Sequence, residues 1–206
     1  MITLIEGNGN ELPNSINPKD NICVVVKHED GNKQWFYGSN LVTTDGDIYY
    51  AKVASGETPS TNEDFGRTNA TCILQTGAVT GSDAPVKGDA YQDVLTPLVA
   101  SHQASGSETQ LVESGYPKTA ATGGADADNS SGGGTDAVTY KFTWAKTEIN
   151  TGSSNPITGG CITDKDGSLA SGKKILTHWT FSNPATFHKT NTDTLTLYVN
   201  HTMLGA

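Results

Sequence analysis

The chain has 206 residues, with 13 basic against 22 acidic side chains and a net charge of -9. Leu, Ile, Val and Phe together supply 39 residues, whereas threonine alone supplies 28 and glycine 23. An acidic chain with a single arginine (Arg67) lacks the clustered cations that phosphate contacts require, which argues against nucleic acid, and no apolar run approaches the roughly 20 residues of a membrane-crossing helix. Ile2–Ile5 is short enough for an edge strand or a tail. Ile22–His28 (ICVVVKH) is β-branched and closed by Asp30-Gly31, a pattern that predicts a core strand followed by a partner at Gln34–Tyr37. Asp47–Val53 (DIYYAKV), placed after the turn signal Thr44-Asp45-Gly46, reads as a further strand, and so does Thr71–Gln75 (TCILQ).

Between Gly88 and His102, Tyr91, Val94, Leu95 and Leu98 recur at helical spacing, with Pro97 interrupting them. The expectation is at most one short helix, over Asp89–Thr96, with two strands or an ordered loop as alternatives. Thr119–Ala137 (TAATGGADADNSSGGGTDA) holds only small and polar residues. It cannot recover its ordering entropy by burial, so it is expected to be a mobile loop. The preferred organisation is one domain over 1–206 that contains this loop at 119–137, and the alternative is a split into 1–118 and 138–206.

The last third is the most regular. Val138, Tyr140, Phe142 and Trp144 alternate with Thr139, Lys141 and Thr143; Ile175, Thr177, Trp179 and Phe181 alternate with Leu176, His178 and Thr180; Leu195, Leu197 and Val199 alternate with Thr196, Tyr198 and Asn200. Period-2 patterning in three strands predicts antiparallel sheet with one wet face, on which threonine keeps strand propensity. The expected fold is therefore all-β, an antiparallel β-sandwich or jelly roll with long Gly/Ser/Thr-rich loops. The shortage of large apolar residues further predicts a thin core and a chain partly dependent on neighbours.

Chemically distinctive residues are few. Cys23, Cys72 and Cys161 form no CxxC pair and lie apart, so they are expected as buried free thiols made in a reducing cytoplasm. Asp164-Lys165-Asp166-Gly167-Ser168 resembles the opening of a calcium loop, but the twelfth position is Ile175 rather than glutamate; Asp164 and Asp166 remain only a weak metal alternative to a simple acidic turn. His28, His102, His178, His188 and His201 show no metal-ligand spacing, and the last three are expected on a wet sheet face. No serine elbow, cysteine–histidine motif or phosphate loop is present, so neither enzyme activity nor a cofactor is expected. Trp35, Phe36, Tyr37, Tyr49 and Tyr50 fall in two adjacent predicted strands. If Trp35, Tyr37 and Tyr49 or Tyr50 share an exposed face, they form a stacking platform for a sugar or a protein; the alternative is that they fill the core.

Lys173–Gly205 (KKILTHWTFSNPATFHKTNTDTLTLYVNHTMLG) resembles the closing segment of small β-sandwich structural proteins of tailed bacteriophage virions. The matching residues are Trp179, Phe181, Phe187, Lys189, Asp193, Thr194, Leu195, Thr196 and Leu197, and Val138–Asn150 is similar to the strand that precedes this segment. The resemblance implies a virion component, synthesised in the host cytoplasm and repeated as a homo-oligomer or on a lattice. Its implied partner is the major capsid protein or another virion protein. The size suits a capsid decoration or cement protein at capsomer junctions. A neck or tail component and a carbohydrate- or protein-binding module are the alternatives.

Overall fold

The computed structural model describes residues 4–6, 22–38, 40–60, 63–66, 70–76, 85–90, 113–114, 137–148, 156–164, 174–181 and 188–202. The described residues form β1 (Leu4–Glu6), β2 (Ile22–Lys27), β3 (Lys33–Gly38), β4 (Leu41–Val42), α1 (Thr44–Ser55), β5 (Thr71–Thr76), β6 (Glu113–Ser114), β7 (Ala137–Trp144), β8 (Ile157–Thr163), β9 (Ile175–Thr180) and β10 (Thr194–Thr202). They make two sheets, one in the order β1-β3-β2-β10-β7-β6 and the other in the order β4-β9-β8-β5. Every pairing is antiparallel.

The two sheets enclose one apolar layer. Val24, Phe36, Phe142, Trp144, Leu195 and Leu197 enter it from the first sheet, and Cys72, Leu74, Ile157, Ile162, Leu176 and Trp179 from the second. The alternation in β7 and β10 places these side chains: Tyr140, Phe142 and Trp144, and Leu195, Leu197 and Val199, are all buried. The fold is thus an all-β antiparallel sandwich, with one short helix among the described residues. The expected helix over Asp89–Thr96 and the expected loop at 119–137 lie almost wholly outside the described residues.

Three features depart from or add to the sequence reading. Asp47–Val53 is helical, as part of α1. Its Ile-Tyr-Tyr run favours a strand, but the ends decide otherwise. Thr43 caps the first turn, its hydroxyl accepting the Gly46 amide at 3.1 Å; Asp45 and Asp47 stand in the first turn, Lys52 in the last, and Gly56 closes the helix at φ 81°.

The second is β8 (Ile157–Thr163), a central strand of the second sheet. Gly159 and Gly160 interrupt its apolar pattern because the sheet needs room there: a β-carbon at Gly160 would stand 2.6 Å from the Ile73 carbonyl oxygen and 2.7 Å from Cζ2 of Trp179. The third is β9. Its pairing to β8 shifts register at Ile162/Thr163, passing over Leu176, so Leu176 and Trp179 both reach the core despite opposite parity.

The second sheet also has no wet face among its described central residues. Ile73, Cys161 and Ile175 form a separate buried cluster, and Gln75, Thr163 and His178 are buried too. Threonine substitutes there for the missing large apolar residues. Thr177 is buried with its hydroxyl donating to the Leu41 carbonyl at 2.8 Å, and Thr43 bonds the Ile175 carbonyl, so each methyl is buried without stranding its oxygen.

An ion network fastens α1 to β9. Glu63 meets Lys174 at 2.6 Å and Lys52 at 2.7 Å, and Lys174 reaches Asp45 at 3.1 Å. The bonds from Lys174, Lys52 and Ser60 hold the Glu63 carboxyl down to about 2, against an ordinary value of 4.5. Its contribution is therefore present above about pH 4.5 and lost as pH falls toward 2. Glu63→Gln should remove on the order of 1–2 kcal/mol at neutral pH, a figure discounted for the network's partial exposure. Thermal unfolding between about pH 7 and pH 2 should show the wild type converging on the variant in acid; a constant gap would contradict this assignment.

Candidate functional site

The end of the first sheet where β2 finishes and β10 begins carries an open cleft of about 620 Å³. Register brings its two walls together: Lys27 pairs with Thr194, so His28 and Asp193 become neighbours across the sheet. One wall is the β2–β3 turn, with His28, Glu29 and Asp30, continued by Gln34 of β3; the other, ahead of β10, supplies His188, Thr190, Thr192 and Asp193.

Both walls are held by local bonds. Gly31, at φ 89°, lets the first turn close: its amide donates to the His28 carbonyl at 3.0 Å, and the His28 amide donates to Asn32 at 2.9 Å. Asp30 accepts the Asn32 amide at 2.9 Å and the Asn32 side-chain N–H at 2.7 Å. In the second turn, Asp193 accepts the Thr190 amide at 2.9 Å and the Thr190 hydroxyl at 2.8 Å. His28 Nδ1 then meets Asp193 at 2.9 Å across the cleft. Lys189 is fully buried behind the second wall, its ammonium donating to the carbonyls of Lys146 and Thr190, each at 3.3 Å. The lining combines imidazoles, carboxylates, hydroxyls and an amide, a set that offers hydrogen bonds to a polar partner.

Two further histidines occupy buried networks, contrary to the expectation of a wet face. His178 lies opposite Cys161, on the face of the second sheet turned away from the main core. Its Nδ1 meets Asp89 at 2.7 Å and its Nε2 lies 3.4 Å from Gln75 Oε1. Asp89 also accepts the Val86 amide at 2.9 Å, and the Lys87 carbonyl accepts the Thr44 amide at 2.7 Å, so residues 86–89 are tied to both the sheet and the start of α1. His201, near the end of β10, bonds the Tyr50 hydroxyl and packs edge-on against Tyr140 at 5.7 Å. Burial pushes its imidazole down to about 3, so it is neutral and Tyr50 donates to it. The three carboxy-terminal histidines therefore do not meet; His188 instead shares a cleft with His28.

The predicted aromatic residues separate. Tyr49 and Tyr50 are on α1, not on a strand beside β3. Tyr49 is buried, edge-on to Phe65 at 5.3 Å, and Tyr50 is half-buried through its contact with His201. Trp35 pairs with Val25 and Ile5, and Tyr37 with Cys23, within the first sheet; their side chains lie outside the described residues. Asp164 is buried at the end of β8, and Asp166 lies outside the described residues. No three His, Cys, Asp or Glu side chains among the described residues are grouped to hold a metal ion. Cys23, Cys72 and Cys161 are buried thiols outside any disulfide, and burial raises the Cys161 thiol to about 12.

Sequence reasoning passed over the His28–Asp193 contact and the His178–Asp89 contact. The first had one usable signal, since pairing Ile22–His28 beside Thr194–His201 would have juxtaposed His28 and Asp193. The second had none, because Asp89 belongs to no regular element. No protein-family model matches the chain, and no curated protein and no solved structure matches it.

Proposed function

We propose that this chain is a structural subunit of a tailed-phage virion, made in the host cytoplasm and acting as a decoration or cement protein that joins neighbouring subunits of the major capsid protein. The observation that carries this reading is that described residues of the phage-like segment are buried in both sheets and in the turn between them. Trp179 and Phe181 are buried with the second sheet, Lys189 and Asp193 lock the following turn, and Leu195 and Leu197 enter the core from the first sheet. The described residues of the segment thus contribute to both sheets. The acidic balance and half-exposed threonines of β10 (Thr194, Thr196) suit a subunit that stays dissolved until it meets a lattice.

Adding the purified chain to capsid shells stripped of it tests the reading. The expected result is saturable, stoichiometric binding, with density over capsomer junctions in electron micrographs and shells that resist heat or low salt better when decorated. Absence of shell binding, together with glycan binding that is lost in Trp35→Ala, would replace it with the carbohydrate-binding alternative. Density confined to the neck or tail would reassign its position.

A further inference from the structure

Asp193 is the pivot of the cleft. Its side chain is only 5 % exposed, yet one oxygen faces His28 and the other takes both Thr190 donors. A carboxylate this far from water needs a counter-charge. Two cations supply it from different directions: His28 at the end of β2 and Lys189 in the turn itself. His28 in turn has two side-chain hydrogen-bond partners, Asp193 at 2.9 Å and Gln34, and both favour the charged ring. A neutral imidazole has one N–H and can satisfy one of them, whereas an imidazolium satisfies both.

We infer that the His28–Asp193 contact is a proton-operated latch: the protonated ring locks the β2–β3 turn against the turn ahead of β10 and closes the cleft at that seam, and loss of the proton opens it.

The other charged or titratable groups facing the pair are Glu29 and Asp30 from the β2–β3 turn, His188 and Lys189 from the turn ahead of β10, and, beside Lys189, Glu148 from the turn after β7; Gln34 of β3 is neutral. Burial opposes charge on His28, but the bonds to Asp193 and Gln34 and the charges of Asp193 and Asp30 outweigh it and raise the ring above its ordinary 6.5. Burial likewise opposes charge on Asp193, and the Thr190 and His28 contacts outweigh it, lowering the carboxyl below its ordinary 3.8. The latch is therefore fully formed only well below pH 6.5, is lost as pH rises through the raised value of His28, and is lost again in strong acid.

Lys189 reinforces the alkaline opening. Burial brings its ammonium down to about 8 against the pull of Asp193 and Glu148. Above that value and above the raised value of His28, Asp193 keeps neither cation. Neutral Lys189 also relieves the cost of burying its own charge, a gain in stability with rising pH that opposes the loss from His28. Global melting is accordingly a poor reporter, and the readout must be local.

Nuclear magnetic resonance of the labelled full chain between about pH 5 and pH 9 gives it. The His28 ring should titrate above its ordinary value, and the Thr190 and Thr192 amides should move with the same midpoint. Exchange of the Thr190 amide, corrected for the intrinsic pH effect, should accelerate roughly tenfold on the alkaline side. His28→Gln keeps a donor to Asp193 without a titrating group and should abolish the shared step while folding normally. Asp193→Asn should bring the His28 midpoint down. Persistence in His28→Gln of a step at the His28 midpoint, apart from the Lys189 step near pH 8, or titration of His28 with Thr190 and Thr192 unmoved, would overturn the latch.

Discussion

Gly160→Ala is expected to abolish stable folding, with a loss of about 3 kcal/mol or more and accumulation of insoluble chain. The new methyl has nowhere to go. It would meet the Ile73 carbonyl oxygen at 2.6 Å and the Trp179 ring at 2.7 Å. The oxygen belongs to β5, paired to β8 through Ile73↔Cys161 and Leu74↔Gly160, so moving it breaks ladder bonds. The ring belongs to a tryptophan with no exposed surface, so it cannot swing into solvent. Relief on one side therefore transfers the clash to the other. Denaturant unfolding of any soluble fraction measures the loss, and a variant within about 1 kcal/mol of wild type would show that the second sheet is far looser than its packing implies. Trp179→Ala in the same background separates the two contacts. It removes the ring clash but leaves the oxygen clash and adds a cavity worth about 3–5 kcal/mol, so no rescue is expected.

Asp89→Ala should cost about 3–5 kcal/mol. Asp89 is at most 9 % exposed and His178 2 %, so the imidazole left behind cannot turn to water. The Val86 amide loses its acceptor in the same step. His178→Leu in the Asp89→Ala background replaces the stranded polar ring by a hydrocarbon of similar bulk, and the pair should then be less destabilised than the sum of the single changes by about 1–3 kcal/mol. Chemical unfolding of the four proteins completes the cycle. Simple additivity would mean that Asp89 acts through the 86–89 turn alone and that its contact with His178 contributes nothing.

These two sites also mark where reading the chain succeeds and where it stops. β7 and β10 were legible from their alternation, β2 and β5 from short apolar runs, and β3 from its place after the Asp30-Gly31 turn signal. β8 was not, since Gly159 and Gly160 contribute no side chain to the pattern; what specifies them is the oxygen of one neighbouring strand and the ring of another, both distant in sequence. α1 failed for a different reason. Its strand-favouring Ile48-Tyr49-Tyr50 centre dominates local propensity, while its decisive residues, Thr43 and Gly56, stand outside it. In β9 the alternation holds from Thr177 onward but not through Leu176, because a register shift depends on the partner strand. Cleft and buried pair alike join residues from separate elements, so their chemistry becomes visible only after the strands are placed.

β10 lies in the middle of the first sheet, between β2 and β7, although it follows both in the chain. During synthesis β2 and β3 can meet early as a hairpin, but the edge that β2 offers to β10 stays open until Thr194–Thr202 has left the ribosome. β7 waits on the same strand. The sandwich therefore closes in a late step across a long loop, which makes for slow folding and a nascent chain with an exposed apolar edge. A message cut short before β10 yields a product that cannot close its core and should be cleared by proteases or lost to aggregates, so the architecture itself screens for chains that contain this strand.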